Sequence, residues 1–348
     1  MSSMSKLQTL RNKIGEVEFR KKLAIQFDGK GVFYEGEPTG KEYESITKDR
    51  IKDYTKYFSQ LKKANIPLGP YLELGGGVGQ GAMLLKNKFR QQGFTCDISY
   101  DTLRLAKKYK DILRYSKMPI RICADIYNLP FRAGSIPFIF TFQTLHHLPD
   151  PKPVLEEVKR VLAPGGYFYF NEEPVAQTFN LNLWRRDRNL KWFEKLLKAT
   201  IILHFISRIG KAETDNDILE ETFSLKVWEK ALSIFSKAYV TIKVFPFGPT
   251  IRLEKNNKAG WLQPPFWKRF LLNILGGGIE AICQKEDGNK QIEDTLLNLL
   301  ACPNCIHKPK LSALDARLLC NVCKSSFKKR NGVFMLFSNK QEKLLYSQ

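Results

Sequence analysis

The stretch from Tyr71 to Gly81, YLELGGGVGQG, constrains this chain more than any other part of it. A short apolar run of strand character leads directly into Glu73-x-Gly75-x-Gly77-x-Gly79, and an amphipathic helical pattern follows at once. Glycines belong at such a strand-to-helix turn because the backbone must take positive φ there and because a ligand has to approach main-chain amides without meeting Cβ atoms. Taken alone, the loop leaves several outcomes open. It fits a tight turn with no ligand, or a site for a nicotinamide, a flavin or S-adenosylmethionine.

The surroundings narrow the fold. From Pro70 to Pro174 short apolar runs alternate with helical segments: YLEL, Ala82 to Gln92, GFTCDI, Thr102 to Tyr109, IRICAD, IPFIFTF, Val154 to Leu162 and YFYFNEE. Alternation at these lengths predicts right-handed βαβ crossovers, a buried and mostly parallel sheet, and hence an α/β fold with helices on both faces. Two more strand-like runs, YVTIKVF and GIEAICQ, come later. At 348 residues the chain is long for one domain, and the pattern divides it. Residues 1–69 read as a helical cap with a glycine-rich stretch at Gly29 to Gly40. Residues 70–288 read as the sheet domain, with 176–237 as a helical insertion over the sheet's active edge. Lys285 to Gln291 reads as a linker, and 289–348 as a separate small unit beginning its packed part at Leu296.

Acidic residues at later strand ends sharpen the loop's meaning. Asp97 lies 18 residues beyond Gly79, where a carboxylate can accept both hydroxyls of a ribose. That still permits a dinucleotide. Asp125 ends the next strand, where a carboxylate beside a backbone amide can read the edge of an adenine. The fourth strand ends in FTFQTLHHLPD, followed by a helix and the turn LAPGG. Over residues 70–173 the successive segments ELGGGVG, CDIS, CADIYNLPF, TLHHLPDP and LEEVKRVLAPGGYFYF resemble the class I S-adenosylmethionine-dependent methyltransferases of the type 11 family. The resemblance implies a Rossmann-like sheet of seven strands closed by an antiparallel hairpin, with the cofactor across the strand C-termini. By position it implies that Glu73, Leu74 and Gly75, Gly76, Gly77 and Gly79 hold the methionine portion. It places Asp97 and Ile98 at the ribose, Asp125 with Ile126 at the adenine, and Thr141 beside the reactive methyl. Pro137 stands where that family usually has an aspartate.

Methyl transfer is an in-line displacement at a sulfonium carbon, so a protein mainly aligns the nucleophile and, where required, removes a proton. His146 and His147, just beyond the fourth strand, are candidate bases, and the alternative is that the pair only caps the next helix. Glu172 and Glu173, at the end of the fifth strand, are the other candidates. TFQT stands where enzymes acting on planar amino nitrogens resemble an Asn-Pro-Pro-aromatic motif, and neither Cys96 nor Cys123 sits where a nucleophile for pyrimidine carbon-5 would. Both absences argue against base methylation of those kinds.

Four of the seven cysteines form two C-x-x-C pairs, Cys302/Cys305 and Cys320/Cys323, at the spacing of two zinc knuckles. Four thiolates close a tetrahedral structural site with no open position, so this Zn2+ would fold the module and not catalyse. The segment from 294 to 337 resembles the zinc-ribbon activator subunits that partner tRNA, rRNA and release-factor methyltransferases. That resemblance implies packing against a methyltransferase.

The net charge is +21, and residues 301–348 supply +7 of it with nine basic against two acidic side chains. Such a field attracts polyanions. The insertion mixes Trp184, Trp192 and Phe193 with Arg185, Arg186, Arg188 and Lys191, a face suited to stacking on bases, docking a lipid-linked phosphate or lying on an anionic membrane. Aromatics at helical spacing also commonly form core. The acceptor expected is a small molecule or lipid-linked intermediate, with RNA as the alternative and a cofactor-binding scaffold as the non-enzymatic one. No apolar run reaches membrane-spanning length and the N-terminus lacks a signal-like stretch, so a cytoplasmic protein is expected.

Overall fold

The computed structural model describes residues 3–27, 40–187, 189–246, 248–256, 260–288, 295–314 and 317–346. The glycine-rich stretch expected at 29–40 falls outside them except for Gly40, as do Arg188 and the last three residues of the expected linker.

Five strands run in parallel at the centre: β1 (Tyr71–Leu74), β2 (Gly93–Asp97), β3 (Ile120–Cys123), β4 (Ile136–Phe142) and β5 (Leu162–Val175). The order across the sheet is β3-β2-β1-β4-β5, so the chain starts in the middle and winds outward in both directions. Every residue of β1 and β2 is buried, which is why these strands read as unbroken apolar runs and not as alternating ones. Helices α3 (Gln80–Asn87), α4 (Tyr100–Ile112) and α5 (Lys152–Val161) make the crossovers. In α5 the spacing of Val154, Leu155, Val158 and Val161 produces one apolar stripe, and all four are fully buried.

The expected antiparallel closure is present. β11 (Gly277–Gln284) pairs antiparallel with β5 on one side and with β8 (Lys237–Val244) on the other, which completes the seven strands. β9 (Thr250–Asn256) and β10 (Gly260–Leu262) extend this edge further and were not foreseen.

The opposite edge differs more from expectation. Leu296–Phe337, read as a separate unit, joins the same sheet: β12 (Ser312–Leu314), β13 (Arg317–Leu319), β14 (Ser326–Arg330) and β15 (Val333–Met335) continue it beyond β3. β15 lies parallel to β3 in the register Phe334 to Ile122, and Leu336 N–H donates to the carbonyl of Cys123 at 2.9 Å. The physical reason is that β3 would otherwise be an edge strand with unpaired amides and carbonyls, and the buried run Val333 to Phe337 satisfies and covers it. Residues 299 to 301 also pack in, through Ala301 N–H to Pro130 O and Arg132 N–H to Leu299 O, both 2.9 Å. The last described element is α11 (Asn339–Tyr346).

The N-terminal region forms the two long helices α1 (Ser3–Phe27) and α2 (Gly40–Lys63). α2 lays Ile51, Tyr54, Phe58 and Leu61 against β4, with Tyr54 stacked on Phe142 at 4.1 Å. The insertion is mixed and not purely helical: β6 (Trp184–Arg186) pairs with β7 (Ser207–Ile209) beside α6 (Trp192–Ala199), α7 (Ile202–Ile206), α8 (Lys211–Thr214) and α9 (Leu225–Leu232). Trp228 of α9 is core, stacked on Phe170 at 5.2 Å, whereas Trp192 of α6 is exposed. α10 (Phe266–Leu275) precedes β11. Among the described residues no helix is long and apolar enough to cross a membrane.

Candidate functional site

A cavity of about 470 Å³ opens at the C-terminal ends of β1, β2 and β4, under α1 and α2. The glycine loop forms its floor. At Gly76 a Cβ would stand 2.4 Å from Thr95 Oγ1 and 2.7 Å from Glu73 Oε2, so no larger residue fits beneath the loop. At Gly75, with φ of +57°, a Cβ would lie 2.4 Å from Thr144, because the loop presses directly on the turn after β4.

Glu73 is buried, and its two carboxylate oxygens accept from the N–H groups of Gly81 (3.0 Å) and Ala82 (3.2 Å) in the first turn of α3. Burial raises its pKa to about 7, because the two amides only partly offset the lost hydration. Asp97 accepts from Gly77 N–H and from Ser99 N–H, both at 2.8 Å, which ties the ends of β1 and β2 together. Burial lifts it to about 6. Asp125 accepts from Tyr127 N–H at 3.0 Å, and its other oxygen meets Lys13 Nζ and Gln341 Nε2, each at 2.6 Å.

The residues expected for cofactor contact therefore converge: Glu73, Leu74, Gly75, Gly76, Gly77, Asp97, Ile98, Asp125 and Ile126 all line one cavity. Gly79 and Thr141 do not line it. Gly79 is the left-handed residue that starts α3, and Thr141 is fully buried beneath the floor, its hydroxyl donating to Leu74 O at 2.8 Å. Phe142, Gln143 and Thr144 occupy the wall instead.

His146 lines the cavity, and Glu172 does not. The turn carrying His146 is held by Glu173, which is fully buried and accepts from the N–H groups of Thr144 (2.7 Å), Leu145 (2.9 Å) and His146 (3.0 Å). Glu173 also meets His146 Nδ1 at 2.8 Å. Burial opposes its ionisation, but His146 and these amides outweigh burial and keep the carboxyl below its ordinary range. An ionised Glu173 places a ring proton of His146 on Nδ1, and Nε2 lies 3.9 Å from Glu220 Oε2. His147 lines the cavity as well, its Nδ1 donating to Leu219 O at 2.8 Å, and burial beside His146 lowers its pKa. Glu172, with φ of +66°, accepts from Gln143 Nε2 at 2.6 Å, and burial raises its pKa.

Several lining residues escaped sequence reasoning. α1 contributes Asn12, Lys13, Glu16 and Arg20, and α2 contributes Arg50 and Tyr54. Asn12 bridges the His147 carbonyl (2.8 Å) and Leu219 N–H (2.7 Å), so the cap is bonded to the site's far wall. Nothing in the spacing of these polar residues marks them, because any exposed helix face has the same composition.

The second constellation is the four-cysteine cluster, whose sulfurs all lie within 4.8 Å of one another. Cys302 Sγ is 3.6 Å from Cys323 Sγ and Cys305 Sγ is 3.8 Å from Cys320 Sγ. A tetrahedral ion with bonds of about 2.3 Å to sulfur puts its ligands about 3.8 Å apart, and a disulfide needs about 2.05 Å. The donor set thus fits zinc and is too open for disulfides.

The chain is similar to known methyltransferases. The family model described as a methyltransferase domain matches residues 72–170. The chain is 25% identical over 268 residues to the malonyl-[acyl-carrier protein] O-methyltransferase of Marinomonas sp., covering 74% of this chain and 87% of that protein. It is 28% identical to the fatty-acid O-methyltransferase of Mycolicibacterium smegmatis over 37% of this chain and 46% of that one. The chain thus spans most of the first relative and less than half of the second. Among solved structures, an S-adenosylmethionine-dependent methyltransferase from Methanosarcina mazei superposes with a TM-score of 0.36 at 19% identity, over 63% of this chain and 92% of that one.

Proposed function

This chain being a class I S-adenosylmethionine-dependent methyltransferase, we propose that its acceptor is a small or lipid-linked molecule methylated on oxygen, with His146 as the general base. The observation that carries this reading is the single cavity in which the glycine loop, Asp97 and Asp125 face the Glu173-bound His146. The relatives named above, both oxygen methyltransferases, support the choice of atom.

The cavity fits the cofactor. Asp97 spends only two acceptor positions on backbone amides, which leaves capacity for ribose hydroxyls. Gly77 carries no side chain into the space, and a Cβ there would meet nothing nearer than Thr102 at 3.5 Å. Glu73 with Gly75 to Gly77 would hold the methionine portion, Asp97 and Ile98 the ribose, and Asp125 with Ile126 the adenine. When bound, the cofactor supplies an electrophilic methyl carbon. His146 Nε2 would take the proton of an acceptor hydroxyl, and Glu173 would stabilise the cation that results. An acceptor that arrives already ionised, such as a carboxylate, would need only the alignment. The cap helices α1 and α2 would exclude water from the transfer.

In the same reading, residues 70–288 form the catalytic unit under the cap of 1–69. Residues 289–348 form a ribbon in which Cys302, Cys305, Cys320 and Cys323 hold one structural Zn2+. Calorimetric titration with S-adenosylmethionine, and separately with NADH, tests the cofactor site. Release of S-adenosylhomocysteine, screened over hydroxylated and carboxylated lipid and small-molecule acceptors, tests the substrate class. Turnover with RNA and with none of those acceptors would overturn it. His146→Ala should lower kcat for a hydroxyl acceptor by about 10²-fold or more while sparing cofactor affinity.

A further inference from the structure

One helix near the site, α6, is inside out, and a second, α10, leaves the phenyl rings of its first turns uncovered. The one buried residue of α6 is Glu194, only 3% exposed, which accepts from Trp184 Nε1 and from Lys191 N–H at 2.9 Å each. Its apolar residues face water instead: Trp192 is 76% exposed, and Leu196 and Phe193 are exposed too. In α10 only Leu272 is buried. Phe266 is 83% exposed and stacks at 6.3 Å on Phe270, which is 53% exposed, while Arg269 turns back to pair with Glu229 at 3.7 Å. Single exposed apolar residues are ordinary, but several together on a helix that buries its one carboxylate, and on another that turns two phenyl rings outward, call for a partner.

These pieces form one layer. Leu181 and Leu183, both exposed, donate backbone hydrogen bonds to Phe205 and Ile206 of α7 at 2.8 Å, and α7 packs on α6. α7 is bound in turn to the end of α10, where His204 Nε2 donates to Leu275 O at 2.6 Å. The flanking charge is mostly positive. Across residues 176–210 the acidic residues are Asp187 and the buried Glu194, against seven lysines and arginines, and across 260–276 there are Lys268, Arg269 and no acid. Lys195 and Lys198 are exposed on α6 itself, and Lys268 lies over the ring of Trp267.

We propose that this layer docks on the surface of an anionic lipid bilayer, with α6 and α10 lying in the interface. Exposed Trp, Phe and Leu among basic residues supply the two contributions that interfacial binding needs, apolar insertion and attraction to anionic headgroups. Charge argues against a second copy as occupant, because a two-fold contact would set these lysines against themselves. The surface adjoins the cavity, since Asn189, between β6 and α6, lines the cavity wall. Docking is read without cofactor or acceptor, so it stands or falls apart from the methyl-transfer reading.

The test is co-sedimentation of the full chain with vesicles of phosphatidylcholine alone and with about one-third phosphatidylglycerol. Binding to the anionic vesicles and little to the neutral ones is expected, with weakening at high salt. Lys195→Glu/Lys198→Glu and Trp192→Glu/Leu196→Glu should each weaken binding by about tenfold or more. Both pairs are exposed, so unchanged circular dichroism and thermal midpoint are expected and identify a folded variant; Phe266→Glu/Phe270→Glu is the second apolar probe. No binding by the wild-type chain, equal binding to both vesicles, or undiminished binding by all variants would overturn the proposal. So would a concentration-dependent dimer that Trp192→Glu dissolves.

Discussion

Helices α5 and α6 carry the same kind of amphipathic spacing and end in opposite places. α5 puts Val154, Leu155, Val158 and Val161 into the core, and α6 puts Glu194 inward and Trp192 and Leu196 outward. Periodicity states which side of a helix is apolar. It does not state what covers that side. In α5 the cover is the sheet, fixed by the βαβ crossover, whereas α6 belongs to an insertion whose position no crossover rule sets.

The contrast between the crossover region and the insertion can be broken or sharpened by experiment. The largest effect is expected at the sheet's functional end. Asp97→Ala removes charge-assisted acceptors from a buried site and should weaken S-adenosylmethionine binding by about 100-fold or more, read by calorimetry. Next is packing: Leu155→Ala should cost about 2–5 kcal/mol in urea unfolding, where Leu196→Ala should stay within about 0.5 kcal/mol. A large cost at Leu196 would show that α6 is covered after all.

Glu73 gives a pH signature of comparable size. The folded chain holds its carboxyl at about 7 against an ordinary 4.5, so the fold retains a proton that the unfolded chain releases between those values. Stability should therefore fall as pH rises from about 4.5 to about 7, by about 3 kcal/mol from this group, with no further change above that window. Glu73→Gln should flatten that part of the profile, and an unaltered slope would refute the assignment. Smaller still is the metal effect. Metal analysis should give one zinc per chain, and chelation or Cys320→Ser should lower the thermal midpoint by several degrees, with the buried contact of β15 and β3 retaining part of the fold. Well under one zinc in freshly reduced protein would exclude the four-thiolate site.

Much of the site was legible because strand ends in a parallel sheet all point one way. Once YLEL, GFTCDI and IRICAD are strands, Glu73, Asp97 and Asp125 must gather at one edge, and they do. Thr141 illustrates the limit. Its strand was foreseen and its side was not, and it lies beneath the floor bonded to Leu74. Glu173 shows the same for neighbours in sequence: a break in the alternation of β5 at Glu172, with φ of +66° and a register shift against β11, turns Glu173 towards the turn that carries His146. Lys13 and Gln341 meet on Asp125 from opposite ends of the chain, and no local pattern records a contact of that range.

The sequence by itself determined the parallel sheet, the glycine floor with its carboxylates, and the four thiols at ligand spacing. Each follows from local rules: strand periodicity, positive φ at glycine, and the short C-x-x-C separation. Only the tertiary structure decided that the cysteine module continues the catalytic sheet through β15, that α1 and α2 roof the cavity, and that the insertion turns its aromatic side to water. Those outcomes depend on which unsatisfied edge or apolar face meets which partner, and the free energy of that choice lies in contacts between residues far apart in the chain.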